Sequence, residues 1–336
     1  VWARNSGALS SEPGVRIIDA DFDRLKVLPW DIHRQTADLK KVLARERPDV
    51  VHAIALKPIV LLLQTGFRSC GRVLALTGRG FLAIDDRPWK RLLRAQIQSM
   101  LRRASADPST ILLVENDADG RWAVAKDHFD RVALMPGAGV DAGAFVPSTE
   151  PSQSVTVGIL SRLIRSKGVD LAVEAVNLVR ARGLDLSLVI GGTVDDQNPD
   201  CYRDRDIDLW GRLPGVALSG RVEDAPAFWR NVHIGCLPSR GGEGLPRTLI
   251  EAAACGRAIV TSDAPGCLDF VGGGEIGIVT PRGDVEALAA ALSSLALDHD
   301  MRRRMGAAGR AKVVAGYTEA HAAGAAARAW RAVRPQ

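Results

Sequence analysis

Short apolar, β-branched runs alternate with longer stretches of helical period almost from end to end of this chain, and that alternation leaves few folds open. In the first half the runs are VRIIDA (15–20), DVVHAI (49–54), RVLAL (72–76), ILLVE (111–115) and RVALMP (131–136). A second series follows: VTVGIL (155–160), LSLVIGG (186–192), GVALSG (215–220), IGCLPS (234–239), AIVTSD (258–263) and GIVT (277–280). Between them lie amphipathic segments such as 168–183 and 285–297. Strands that are apolar throughout, rather than at every second position, are covered on both faces, and helical connections make neighbouring strands parallel. The expected class is α/β, with doubly wound, Rossmann-like parallel sheets.

One such sheet does not use 336 residues, and the chain offers a place to divide. Segment 139–154, GVDAGAFVPSTEPSQS, is polar and rich in Gly, Pro and Ser. The division expected is an N-terminal domain over 1–145, a C-terminal domain over 151–316, and a last helix over 317–336 that crosses back to the first domain. Open α/β sheets bind ligands beyond the carboxyl ends of their strands, so two of them facing each other define a cleft. No apolar run reaches the roughly 18 residues of a membrane-spanning helix. Five cysteines (70, 201, 236, 255, 267) form no C-x-x-C pair, which fits unpaired thiols in a reducing cytoplasm better than a metal site.

The net charge of +5 is unevenly spread. Segment 87–103, RPWKRLLRAQIQSMLRR, carries six cations and no acid, with Trp89, Leu92, Leu93, Ile97, Met100 and Leu101 at helical spacing. Its apolar stripe would pack inward, leaving a basic face either solvated or set against an anionic membrane surface. Nucleic acid is not an expected partner, because aromatics make up only 5 % of the chain and no recognition motif accompanies the basic segment.

Two stretches carry chemistry. In VGILSRLIRSKGVDLAVEAV (157–176) a strand ends and a turn brings Arg162, Arg165 and Lys167 to a helix start, where cations and unpaired N–H groups can hold a diphosphate. Read alone, the same charges could be solvated loop residues. In GGEGLPRTLIEAAACGRAIV (241–260) Glu243 lies in a glycine-rich turn, Pro246 suits the first position of a helix, and Glu251 falls about a turn and a half into it. A carboxylate can accept two hydrogen bonds, so the pair suits sugar or ribose diols; two unrelated surface acids are the alternative.

Read together, these motifs resemble those of the retaining GT-B glycosyltransferases of family 4. Glu243-Gly-Leu-Pro…Glu251 with AAACGRAIVTSDAPGCLDFV looks like that family's E-x7-E region, and SRLIRSKGVDLAVEA like its phosphate-binding segment. RPDVVHAIALKP (47–58), LTGRGF (76–81), ENDADGRW (115–122), LMPGAGVD (134–141), GGTVDDQNPD and LSGRVEDAPAFW extend the likeness. It is nearest to the bacterial branch that adds sugars to polyprenyl-diphosphate-linked saccharides for capsule, lipopolysaccharide or protein glycosylation.

The resemblance implies transfer of a hexose or N-acetylhexosamine from a UDP-sugar to a lipid-linked saccharide, with retention, by a cytoplasmic protein peripheral to the inner face of the membrane. Arg162 and Lys167 would hold the donor diphosphate, Glu251 the ribose, and Glu243 the donor hexose with the N–H groups of Gly244 and Leu245 and with Pro246 beside them. Arg221 and Val222 would lie at the base. The departing phosphate would take the acceptor's proton on the face it leaves. No metal or other cofactor is implied, the nucleotide sugar being a substrate, and the acidic pairs Asp85-Asp86 and Asp195-Asp196 read as loop residues.

Two features depart from the pattern. Many members carry a histidine after the strand matching RVLAL, where this chain has Thr77 and Gly78; His52 occupies another family-like position, as a catalytic group or a strand-end histidine bonded to backbone. The chain also begins after the family's first strand and loop. That leaves a second expectation, a shortened and inactive nucleotide-sugar-binding remnant acting through a partner. A nicotinamide-dependent enzyme is a third, but it lacks a G-x-G-x-x-G and leaves Glu243 and Glu251 unexplained.

Overall fold

The computed structural model describes residues 2–3, 14–20, 28–83, 87–124, 130–152, 154–196, 198 and 200–334. Two short strands, β1 (Trp2–Ala3) and β2 (Ile18–Asp19), pair in parallel, and α1 (Pro29–Glu46) follows. The chain then builds β3 (Val50–Ile54), α2 (Leu56–Gln64), β4 (Gly71–Leu76), α3 (Pro88–Ser105), β5 (Thr110–Val114), α4 (Asp117–Ala123) and β6 (Val132–Leu134). These strands form a parallel sheet in the order β3-β4-β5-β6.

The second series is β7 (Thr156–Leu160), α5 (Val169–Ala181), β8 (Ser187–Gly191), α6 (Asp204–Gly211), β9 (Val216–Gly220), α7 (Ala225–Arg230) and β10 (Ile234–Leu237). It continues with α8 (Arg247–Ala254), β11 (Ala258–Ser262), α9 (Pro265–Val271), β12 (Gly277–Thr280), α10 (Val285–Leu297), α11 (His299–Gly316) and α12 (Glu319–Val333). Its parallel sheet runs β12-β11-β10-β7-β8-β9. The winding reverses between β7 and β10, and ligands of open α/β sheets sit at that switch point.

Burial explains the unbroken apolar runs. Along β11, Ala258 and Val260 join the core on one face, under α5 and α10, while Ile259 joins the core on the other, under α8 and α9. The first sheet is covered by α1 to α4 on one side through Leu74, Leu76, Leu112 and Val114. Its other face, Val73, Ala75 and Leu113, packs on Ala329 and Val333 of α12. The alanines of α12 let its backbone come close to β4, where a side chain at Gly71 would strike Val333. The two crossings between the sheets run side by side, as Val140 N–H donates to Tyr317 O (3.1 Å) and Glu319 N–H to Val140 O (3.1 Å).

Three details differ from expectation. Segment 139–154 is polar in composition but pinned: Phe145 is buried against the second sheet, and Glu150 pairs with Arg302 of α11 at 2.8 Å. Pro246 caps α8 from outside, and the helix begins at Arg247. In α3, Ile97 and Leu101 face the core, whereas Trp89 and Leu92 are 52 % and 64 % exposed. Periodicity thus names a stripe of which the later turns, through Ile97 and Leu101, are the buried part. Lys90 is buried instead, and Arg94 donates to Leu82 O (2.7 Å), so the basic face is reduced mainly to Arg87, Arg91, Arg102 and Arg103.

Candidate active site at the switch point

The turns leaving β7 and β10 meet at the reversal of strand order. After β7 comes a single 3-10 turn, Arg165–Lys167, closed by Gly168. After β10 comes the 239–245 turn that leads into α8. Ser239, wholly buried, ties them together: its Oγ donates to Ser166 O (3.2 Å) and accepts from Gly241 N–H (3.2 Å), and Arg240 N–H donates to Ser166 O (2.7 Å). The Arg240 guanidinium then grips both oxygens of Asp170 in α5 (2.7 and 2.9 Å). Held this way, Lys167 Nζ lies 2.7 Å from Glu243 Oε1, with both side chains mostly shielded.

Arg162 is on the same turn but half exposed, and donates to Asp195 Oδ2 at 2.8 Å. Asp195 is thereby a partner of the cation; Asp85 and Asp86 lie outside the described residues. The start of α5 is less open to an anion than its sequence suggests. Asp170 N–H donates to Tyr202 Oη (3.3 Å), Tyr202 donates back to Asp170 Oδ1 (2.6 Å), and Asp170 supplies a carboxylate of its own. A phosphate here would be met by the Arg162 and Lys167 side chains more than by the helix end.

Glu251 lies one layer deeper, 8 % exposed. Trp229 Nε1 donates to its Oε2 (3.3 Å) and Arg247 Nε to its Oε1 (3.0 Å). Burial pushes its carboxyl above the ordinary range against the pull of these two donors. Motif reading passed over Trp229 as a partner of this carboxylate, although the Phe228-Trp229 pair is plain in the sequence. Arg221 is exposed and paired with Glu223 (2.6 Å), while Val222 is half-buried and packs against Gly191.

The first sheet closes over this site with its carboxyl edge. Gly80 N–H donates to Gly242 O (3.0 Å), and a side chain at Gly78 would run into Gly242 O and Gly244 N at 2.6 Å. Thr77 lies against Gly244 as well. Asn116, buried at the N-cap of α4, donates to Gly244 O (3.1 Å). Glu115 accepts the Leu245 N–H (2.7 Å), a group that the family resemblance would place beside a donor sugar. His52 stands elsewhere. It is the third residue of β3, and its Nδ1 accepts from Trp330 Nε1 of α12 at 3.2 Å, on the face opposite α1 to α3. The partner described for it is a side chain rather than backbone.

Residues 154–298 match the family model described as "Glycosyl transferases group 1". A curated relative, phosphatidyl-myo-inositol mannosyltransferase of Mycobacterium tuberculosis, is 32 % identical over 208 residues, which are 59 % of this chain and 53 % of the relative. The capsular polysaccharide biosynthesis glycosyltransferase CapM of Staphylococcus aureus is 25 % identical over 162 residues, 48 % of this chain and 42 % of CapM. The chain thus spans about half the length of such relatives. A longer match, 28 % identical over 302 residues, is to a mycobacterial GDP-mannose-dependent alpha-(1-6)-phosphatidylinositol monomannoside mannosyltransferase, with 82 % of this chain and 74 % of the relative covered.

Among solved structures, sucrose-phosphate synthase from Thermosynechococcus elongatus superposes with a TM-score of 0.78 at 19 % identity, covering 95 % of this chain and 84 % of that one. Anabaena Alr3699/HepE in complex with UDP superposes with 0.71 at 16 %, covering 88 % and 81 %. The chain has the GT-B fold, and residues 154–298 of its second half are similar to the group 1 glycosyltransferases.

Proposed function

We propose that this protein is a retaining, metal-independent hexosyltransferase that takes its sugar from a nucleoside diphosphate donor, UDP-linked, and passes it to a lipid-linked saccharide at a membrane surface. The observation that carries the reading is the Lys167–Glu243 pair, set at the switch point of a group 1 glycosyltransferase domain with Arg162 and Glu251 around it. Arg162 and Lys167 neutralise the diphosphate and the charge that grows on it as it leaves. Glu251, oriented by Trp229, takes the ribose diol. Glu243 takes a hydroxyl of the hexose.

Retention follows from a one-face course. The bond from C1 to the phosphate oxygen breaks while C1 bonds to the acceptor oxygen, and the acceptor's proton passes to the departing phosphate. Double displacement would need a carboxylate free to attack C1, as in retaining glycosidases. Glu243 Oε1 is instead engaged by Lys167.

The donor half is tested by titrating UDP calorimetrically with EDTA present, and GDP beside it, since one relative is named for GDP-mannose. Saturable UDP binding is expected, weakened about tenfold or more in Glu251→Ala by loss of hydrogen bonds to a charged acceptor. Binding of neither nucleotide would end the reading.

The acceptor half rests on the exposed Trp89 and Leu92 beside Arg87 and Arg91. α3 follows the loop that leaves the carboxyl end of β4, so its first turn lies on the cleft side of the first sheet. No helix among the described residues is long and apolar enough to cross a membrane. An interfacial tryptophan flanked by arginines suits anionic headgroups. Vesicles of phosphatidylglycerol should retain the protein at low salt, and Trp89→Ser with Leu92→Ser should release most of it without unfolding α3. Equal retention of that variant would remove α3 from the contact.

A further inference from the structure

The Leu245 N–H lies where the proposed reading puts the donor hexose, yet in this structure it is occupied from the other domain. Glu115, the first residue beyond β5, accepts it at 2.7 Å through Oε2. Close packing holds the carboxyl there: a side chain at Gly244 would overlap Glu115 Oε2 and press on the Thr77 backbone. Asn116 fixes the next residue. Its Oδ1 accepts from Asp119 N–H (2.8 Å), and its Nδ2 donates to Asp119 Oδ2 (3.0 Å) and to Gly244 O (3.1 Å).

Around Glu115 the charge is mostly negative. Glu243 comes from the second domain's turn and Asp119 from α4, with Asp269 of α9 beyond; Lys167 is committed to Glu243 and Arg79 to Asp119 (2.7 Å). Burial, with Asp119 and Glu243, pushes the Glu115 carboxyl up to about 7, while the Leu245 N–H draws it down. A half-buried acceptor facing a backbone donor across a cleft, beside Glu243, is the arrangement into which a hydroxyl fits. A hydroxyl both donates and accepts. Set between the two, it accepts from Leu245 N–H and donates to Glu115, and neither group is left unpaired.

We propose that Glu115 and the Leu245 N–H together form the receptor for one hydroxyl of the transferred hexose, with the ligand-free protein filling that receptor by their direct hydrogen bond. This deepens the reading above and rests on it. The nucleotide is held by the second sheet alone, whereas the sugar is recognised by both. Glu115 is thus a specificity-determining residue supplied by the domain that otherwise faces the acceptor, and the sugar hydroxyl replaces a contact between the domains.

The experiment separates sugar from nucleotide. UDP and GDP, and their conjugates UDP-glucose, UDP-N-acetylglucosamine and GDP-mannose, are titrated into wild type, Glu115→Ala and Glu115→Gln. The expected result is that Glu115→Ala weakens the conjugate by more than about tenfold while the parent nucleotide changes less than about twofold. Glu115→Gln, which keeps an acceptor oxygen, should recover part of the loss. A purely structural role would weaken nucleotide and conjugate alike, and that outcome, or an unchanged affinity for every conjugate, overturns the assignment. Wild-type protein that binds no nucleotide would overturn the underlying reading instead, and this assignment with it.

Discussion

Lys167→Ala is expected to slow turnover by at least about a hundredfold, measured as release of UDP from the sugar nucleotide. A hundredfold is about 2.7 kcal/mol of transition-state stabilisation, and deletion of one preorganised charge-stabilising donor costs about 2.7–4 kcal/mol. The site supports the upper part of that range. Lys167 is mostly shielded, and Ser166, Ser239 and Arg240 hold its turn against the 239–245 turn by hydrogen bonds of 2.7 and 3.2 Å. Its removal also strands Glu243, whose Oε1 it meets at 2.7 Å, in a place with Glu115 nearby and no described second cation as close. The loss should appear chiefly in kcat, because the charge on the diphosphate grows as the bond to C1 breaks. Arg162→Ala should reach the same threshold; its partner Asp195 is then left without that cation. Near-normal turnover by either variant would sink the diphosphate assignment.

Much of this site was legible before any coordinates. Arg162, Lys167, Glu243 and Glu251 belong to two short motifs, each at the carboxyl end of a strand whose apolar run announces it. Parallel strands buried on both faces write themselves as such runs, and β4, buried at every position, is the plainest case. What escaped was whatever depends on how the two sheets meet. Glu115 is 130 residues from Leu245 in the chain, and only packing reveals that they touch. The rule that ligands lie beyond strand ends would have flagged it, since ILLVE places an acid there. The surroundings of His52 escaped for the same reason: its partner Trp330 belongs to α12, which arrives from the far end of the chain. Trp89 and Leu92 show the limit of periodicity, which identifies a helix face without saying how far the core extends beneath it.

A large structural effect should come from Gly168→Ala. Gly168 has φ +70° and ψ 27°, left-handed values that cost an L-residue about 1–2 kcal/mol. Its missing side chain also matters, because a Cβ there would sink into the Pro238 carbonyl oxygen, the backbone of the partner turn. A carbonyl fixed at the end of β10 cannot yield as the tip of a flexible side chain would, so about 1–3 kcal/mol of overpacking is added. The sum, about 2–5 kcal/mol, corresponds to a fall in Tm of about 10 °C for a domain of this size. Gly183→Ala is the matched control: φ is +88°, but nothing lies within 4 Å of the added carbon. It should lose only the backbone part, with UDP affinity unchanged. Gly168→Ala should lose UDP affinity even well below its Tm, since relief of the clash must separate the turn carrying Lys167 from the turn carrying Glu243. Equal melting temperatures for the two variants would mean that the Pro238 contact does not hold these turns together.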